Sequence, residues 1–314
     1  MSAFAFFGAI EIGLIYGLVA LGVYLTFRVL DFPDLTVDGS FPMGAAVAAT
    51  AIVAGVNPWL ATGMAILAGA ATGWVTAFLA VRCGILHLLA SILTMIAAFS
   101  INIRIMGRPN MALLGESTIL TPFESFGDPT YVRPLVVGVL VLISAVFVVR
   151  LLNSDFGLGL RATGVNARMV SAQGASIGFC TYFGLALSNG FVGFAGALFA
   201  QTNSFADVTS GVGTIVVGLA AVILGQTIIP GRKIWVAVCA VIIGSVLYRL
   251  AVAFALSTGM FGLQASDLNL VTAVLVAVAL IAPKIKAKLR VKKASSSAEM
   301  SASQIKPTKS GDVS

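Results

Sequence analysis

Residues 30–42 read LDFPDLTVDGSFP, which sets Asp31, Asp34 and Asp38 between two long apolar runs. The cluster is out of character with the rest of the chain. Charged residues make up 10% of 314 positions and apolar residues 59%, with a mean hydropathy of +1.03, whereas soluble domains are about 25% charged. The composition is that of an integral membrane protein, and the apolar runs repeatedly approach the roughly 20 residues a helix needs to cross a bilayer. They are apolar throughout rather than alternating, which argues against outer-membrane strands. The expected fold is all-α, a polytopic membrane helix bundle.

A charged side chain at the bilayer centre costs roughly 2.5 to 3.5 kcal/mol on insertion scales, so these carboxyls should face water, a partner or a cavity. Pro33 and Pro42 remove backbone donors and Gly39 loosens the turn, so the second helix is expected to be broken here. One reading is a surface loop with Asp38 or Ser40 as a helix N-cap. The sharper reading is a broken helix lining a translocation path, with Asp34, Thr36, Asp38 and Ser40 as its polar wall. Phe32-Pro-Asp34-Leu-Thr36 recurs as Phe205-Ala-Asp207-Val-Thr209, each copy ahead of a Gly- and Ala-rich span. This brings Asp207 and Thr209 into the same reading and points to inverted repeats.

Nine spans are expected: Phe4 to Phe27, Phe41 to Val56, Trp59 to Val81, Ile85 to Ile105, Pro134 to Leu152, Ile177 to Ala200, Val212 to Ile229, Ile234 to Leu256 and Leu268 to Ala282. The transmembrane domain then covers 1–290, and 291–314, rich in Ser, Ala and Lys, reads as a disordered basic cytoplasmic tail. Arg150, Arg161 and Arg168 follow the fifth span, Arg232 and Lys233 the seventh, and a basic run from Lys284 to Lys293 the ninth. The positive-inside rule puts these loops, with Arg28 and Arg82, in the cytoplasm, and 106–133 and the N-terminus outside. The net charge of +7 thus reads as topology rather than as a nucleic-acid surface. Cys83, Cys180 and Cys239 have no CxxC spacing and read as packing residues, and His87 as interfacial rather than as a ligand. Glu11 lies within the first span, where it can line the path or pair with a cation. Asn189, Gln201 and Asn203 can serve either interhelical bonds or solute contacts.

The second unusual stretch is FGLGLRATGVNARMVSAQGASIG, from Phe156 to Gly178. It is polar, basic and longer than a hairpin between spans requires, with room for one helix from about Val165 to Gln173. That reads as a surface for another protein.

GLRATGVNARMVSAQG ahead of a Gly-rich span, followed by GVGTIVVGLAAVILGQTIIPGRK, resembles the permease family of branched-chain amino acid and ribose-type ABC importers. FPDLTVDGSFPMGAAVAA is similar to the start of its sugar members, and closer to the tryptophan- and tyrosine-type branch. The resemblance covers residues 8 to 283. It implies a bundle in the bacterial cytoplasmic (inner) membrane, a second permease copy, cytoplasmic ATPases, and a periplasmic or lipid-anchored solute-binding protein. Carried over, Arg161, Ala162, Thr163, Gly164, Asn166, Arg168 and Met169 match the segment that docks on the ATPase, and Asp34, Thr36, Asp38 and Ser40 match the polar start of the second helix. The aspartates depart from the Asn, His or Gly that amino-acid members often carry there.

No GxxxxGK[ST] phosphate loop is present, so ATP would be used by a partner ATPase. No HExxH or GxSxG motif occurs either. The expectation is a non-catalytic subunit with no metal and no cofactor of its own, passing a small polar solute, aromatic amino acids first. The alternative is an ion-gradient-driven transporter using Asp34, Asp38 or Asp207.

Overall fold

The computed structural model describes residues 3–125, 127–231 and 233–257, with position 277. The expected ninth span, the basic run after it and the tail at 291–314 lie outside the described residues. Among the described residues ten α-helices follow one another: α1 (Ala3–Val23), α2 (Val37–Val53), α3 (Pro58–Val81), α4 (His87–Met106), α5 (Thr121–Glu124), α6 (Pro129–Asn153), α7 (Asp155–Ala172), α8 (Ile177–Asn203), α9 (Thr214–Ile228) and α10 (Ile234–Ser257). Two short strands, β1 (Asn110–Ala112) and β2 (Phe205–Asp207), pair antiparallel with Met111 opposite Ala206. Among the described residues seven stretches are long and apolar enough to cross a membrane, and Val37–Val53 is a shorter apolar helix.

The sequence marks the helix ends. Asn57 accepts from the Trp59 N–H at 2.9 Å ahead of Pro58, and Ser154 and Ser176 accept from Gly157 and Phe179, each satisfying a donor that a helix start leaves free. α8 is the central post, packed on α3, α2 and α1. Lipid offers no hydrophobic drive for helices to associate, so small residues must let backbones close up. Gly193 lies against Gly69 of α3 and Gly44 of α2, and a Cβ there would meet the Ala65 carbonyl at 2.7 Å. α1 holds the other side of the bundle with α6, α9 and α10, and the Ser245 hydroxyl donates to the Gly13 carbonyl.

The second helix is not broken. α2 runs without interruption from Val37 to Val53 with Pro42 inside it, and the break lies ahead of it, at residues 31–36. Pro42 has no N–H for the Asp38 carbonyl four residues back, and Gly211 packs directly against that carbonyl. The expected helix from Val165 to Gln173 is likewise corrected. α7 starts ten residues earlier, at Asp155, and Asn166 (φ −156°, ψ 88°) divides it. Residues 161–173 therefore form two pieces rather than one helix.

The pairing of β1 with β2 gathers one end of the bundle. The opposite end gathers the chain after α1, the start of α4 and α7, with Phe32 stacked on His87 at 4.2 Å between ring centroids.

Candidate functional site

α1 continues as a π-helical turn, Tyr24–Val29, that stops at Asp31. Asp31 takes a left-handed conformation (φ 54°) and the Phe32 N–H reaches back to the Thr26 carbonyl at 2.9 Å, a helix ending of the Schellman kind. The chain then turns back into the bundle. Asp34, fully buried, accepts from its own Thr36 N–H at 2.9 Å and from the Asn189 amide of α8 at 2.7 Å. Thr36 meets the Thr76 hydroxyl of α3 at 2.7 Å. One turn further on, the Ser40 hydroxyl donates to the Asn189 carbonyl oxygen and lies 2.6 Å from the Thr72 hydroxyl.

Asp34, Thr36, Ser40 and Asn189 therefore form one network across α2, α3 and α8, closed by Thr72 and Thr76. Every partner of the Asp34 carboxyl is a neutral donor, and the one ion pair among the described residues, Arg133–Glu124 at 2.7 Å, lies elsewhere. A buried carboxyl holds its place only if its lone pairs are met, which the Asn189 amide and the Thr36 N–H do here. These four residues face protein atoms, not an open water path.

Asp38 does not cap its own helix. Its two oxygens accept from the Gly213 and Ile215 N–H groups at 3.1 and 2.8 Å, at the start of α9. α9 has no side-chain cap of its own, and Asp38 supplies one from the first turn of α2. From this junction α2 runs to the β1 end, where Thr50 contacts Met111, and α9 runs to the other. The positive ends of two diverging helices thus meet, and a carboxyl between them offsets their repulsion.

Asp207, Thr209 and Asn203 stand apart from this network. Asp207 accepts from the Thr209 N–H and hydroxyl, both at 2.7 Å, and Asn110 approaches it at 3.5 Å. Asn203 bonds its own helix at the Phe199 carbonyl, while Gln201 joins the Thr62 hydroxyl and the Ile119 N–H. Glu11 is buried in α1.

Asn166 splits the residues expected to dock on an ATPase into two groups. On the inner piece, Thr163 is buried, Ala162 is exposed, and Gly164 sits against the Val29 carbonyl and Leu30, leaving no room for a Cβ. On the outer piece, Asn166 accepts from the Met169 N–H at 3.2 Å and starts a fresh turn. It exposes Arg168 and Met169 beside the 88%-exposed Val165. Arg161 points the other way, into a recess with Arg28 and Tyr24. The sequence reading missed Thr72 and Thr76, although Gly69-x-x-Thr72-Gly73-x-x-Thr76 places small and hydroxyl residues on one helical face.

A bundle of membrane-crossing helices around a buried carboxyl network, with a kinked helix outside it, has the form of a multi-pass membrane transport protein. The chain belongs to the family of the permease component of branched-chain amino acid transport systems, whose model matches residues 6–282. It is 37% identical over 264 residues to the tyrosine transport system permease protein of Clostridioides difficile (strain R20291), covering 84% of this chain and 86% of that one. It is 36% identical over 220 residues to an uncharacterized protein, RP368, of Rickettsia prowazekii (strain Madrid E), covering 70% and 76%. Among solved structures, PsaBC from Streptococcus pneumoniae in complex with Fab aligns at 16% identity and a TM-score of 0.49, over 88% of this chain and 89% of that one.

Proposed function

We infer that this chain is the membrane subunit of an ATP-driven importer, forming with a second copy the path for a small polar solute, an aromatic amino acid first. Membership of the permease family and the likeness to a protein named for tyrosine transport support the solute class. Cytoplasmic ATPases would supply the energy and an external binding protein the selectivity. The loops carrying Arg28, Arg82, Arg161 and Lys233 face the cytoplasm of a bacterial inner membrane. The two Phe-x-Asp-x-Thr turns are counterparts in an inverted repeat. In its support, Asp31 and Ser204, the residues just ahead of them, are the two non-glycine positions with positive φ among the described residues.

The observation that carries this reading is the seating of α7. It offers Val165 at the kink and Arg168 and Met169 on its outer piece to a partner, while Gly164 on the inner piece is jammed against Val29 and Leu30. A push on the outer piece reaches the chain that leads, four residues later, into Asp34. Exposed ion pairs at Arg168 would contribute at most about 1 kcal/mol, so shape at Val165 and Met169 dominates docking. The motion is a rocking of α1 and α2 against α8, with the Asp34–Asn189 contact as the point that must re-form.

Reconstituted with its ATPase and binding protein, the complex should take up tyrosine or tryptophan only with ATP and be indifferent to a protonophore. Gly164→Val should leave hydrolysis and abolish most uptake, because the overpacked contact shifts by roughly 1–3 kcal/mol. Gly159→Ala, where nothing lies within 4 Å, should change neither. Uptake that needs no ATP and collapses with a protonophore would favour the ion-driven alternative, for which the buried Asp34 is the natural proton or sodium site.

A further inference from the structure

We propose that the recess between the end of α1, the inner piece of α7 and the α9–α10 connection is a phosphate-binding site, filled by the headgroup of an anionic lipid. The recess has a volume of about 660 Å³. Arg28, Arg161 and Lys233 converge on it from three separate elements, joined by Tyr24 and Gln226. Three cations facing one space repel one another unless an anion sits among them. No carboxylate of the described residues lies within ion-pair distance of any of the three. The Nε of Arg161 is buried and without a hydrogen-bond partner, and a guanidinium left so is costly unless a ligand accepts from it.

Phosphate matches this set better than carboxylate, because its oxygens diverge and can meet two guanidinium forks and an ammonium together. The same chemistry is offered by a lipid headgroup and by free phosphate. Two features favour the lipid. Part of the wall is apolar, from Ile229, Ile234 and Ala237. Ile228 and Trp235, on either side of the α9–α10 connection, are more than half exposed, giving acyl chains a surface and an indole at the depth where aromatic belts form. An occupant would tie α7 to α1 and α10, and so stiffen the seating of Gly164. The site itself rests only on the recess. Its place on the cytoplasmic leaflet rests on the orientation inferred above.

The test is native mass spectrometry of the full chain, extracted mildly from membranes and then exchanged into nanodiscs of stated lipid. Wild type should retain phosphatidylglycerol against an excess of phosphatidylcholine. Arg28→Gln with Lys233→Gln should bind it roughly thirtyfold more weakly, as expected for two basic contacts at a membrane surface. Both side chains are exposed, so the fold should survive, and an unchanged elution volume checks this. Arg161→Lys, which keeps the charge and loses the fork, should fall between the two. Displacement by millimolar inorganic phosphate, with no lipid retained, would keep the phosphate site and overturn the lipid as occupant. Equal retention by wild type and double variant, or indifference to headgroup charge, would overturn the proposal. None of these readouts needs ATP, a solute or transport, so the proposal can fail while the importer reading stands, and the reverse.

Discussion

The turns at Asp34 and Asp207 begin alike and end differently. Each follows a residue in the left-handed region, Asp31 and Ser204, then a phenylalanine, then an aspartate whose carboxyl accepts from the N–H of a threonine two places on. Asp34 is fully buried, and Asn189 from α8 completes its bonding. Asp207 is only half-buried and satisfies itself within its own turn, with Asn110 nearby. A short polar side chain bonding its own backbone is a local device that the five-residue pattern specifies. Whether the device becomes a buried joint or a surface turn is decided by what packs over it. After Thr36 the chain enters α2 at once, whereas Thr209 lies within another short turn, Val208–Gly211, that precedes α9. That turn brings Gly213 and Ile215 to Asp38, so the second motif ends by leaning on the first.

The largest contrast to test is sidedness. With Cys239 replaced by serine, a membrane-impermeant maleimide should label Cys83, exposed beside Arg82, only from the face bearing Phe32. Asn110→Cys should be labelled only from the other face. Labelling of both from one side would break the inverted relation outright. Next comes the buried joint. Asp34→Ala leaves the Asn189 amide and the Thr36 N–H without acceptors inside the bundle, and should cost about 2–4 kcal/mol in denaturation from mixed micelles. A double-mutant cycle with Asn189→Ala should show most of that loss to be shared. If Asp34→Ala proves neutral, the network does not hold α2 to α8. Asp38→Ala removes the cap of α9 and should cost about 1 kcal/mol by the same assay, with Asp38→Ser recovering part of it. The smallest effect belongs to Asp207→Ala, about 0.5 kcal/mol, because water can replace its bonds. An effect as large as that of Asp34→Ala would erase the difference between the turns.

Eight of the expected spans are helices within the described residues, with boundaries shifted by a few residues because caps and left-handed ends fixed them more finely than hydropathy does. The aspartate-bearing stretch was legible as a break, and Pro33 lies within it, but its extent was not. Pro42 looked like a second interruption, yet α2 runs through it. Asn189 was visible as a polar residue in a span, without its partner 155 positions away. Arg161 read as a docking residue, and only the packing of α7 turned it inward beside Arg28.

The sequence by itself determined that this chain lives in lipid as a helical bundle and that two aspartate turns share one local form. These follow from transfer free energies and from bonds between near neighbours, which a short stretch carries whole. Only the tertiary structure decided which carboxyl is buried, that Asp38 serves α9 rather than α2, and that Asn166 divides the helix outside the bundle. Those outcomes depend on groups brought together from distant parts of the chain, where the cost of burying a polar atom is met by a partner no local pattern names.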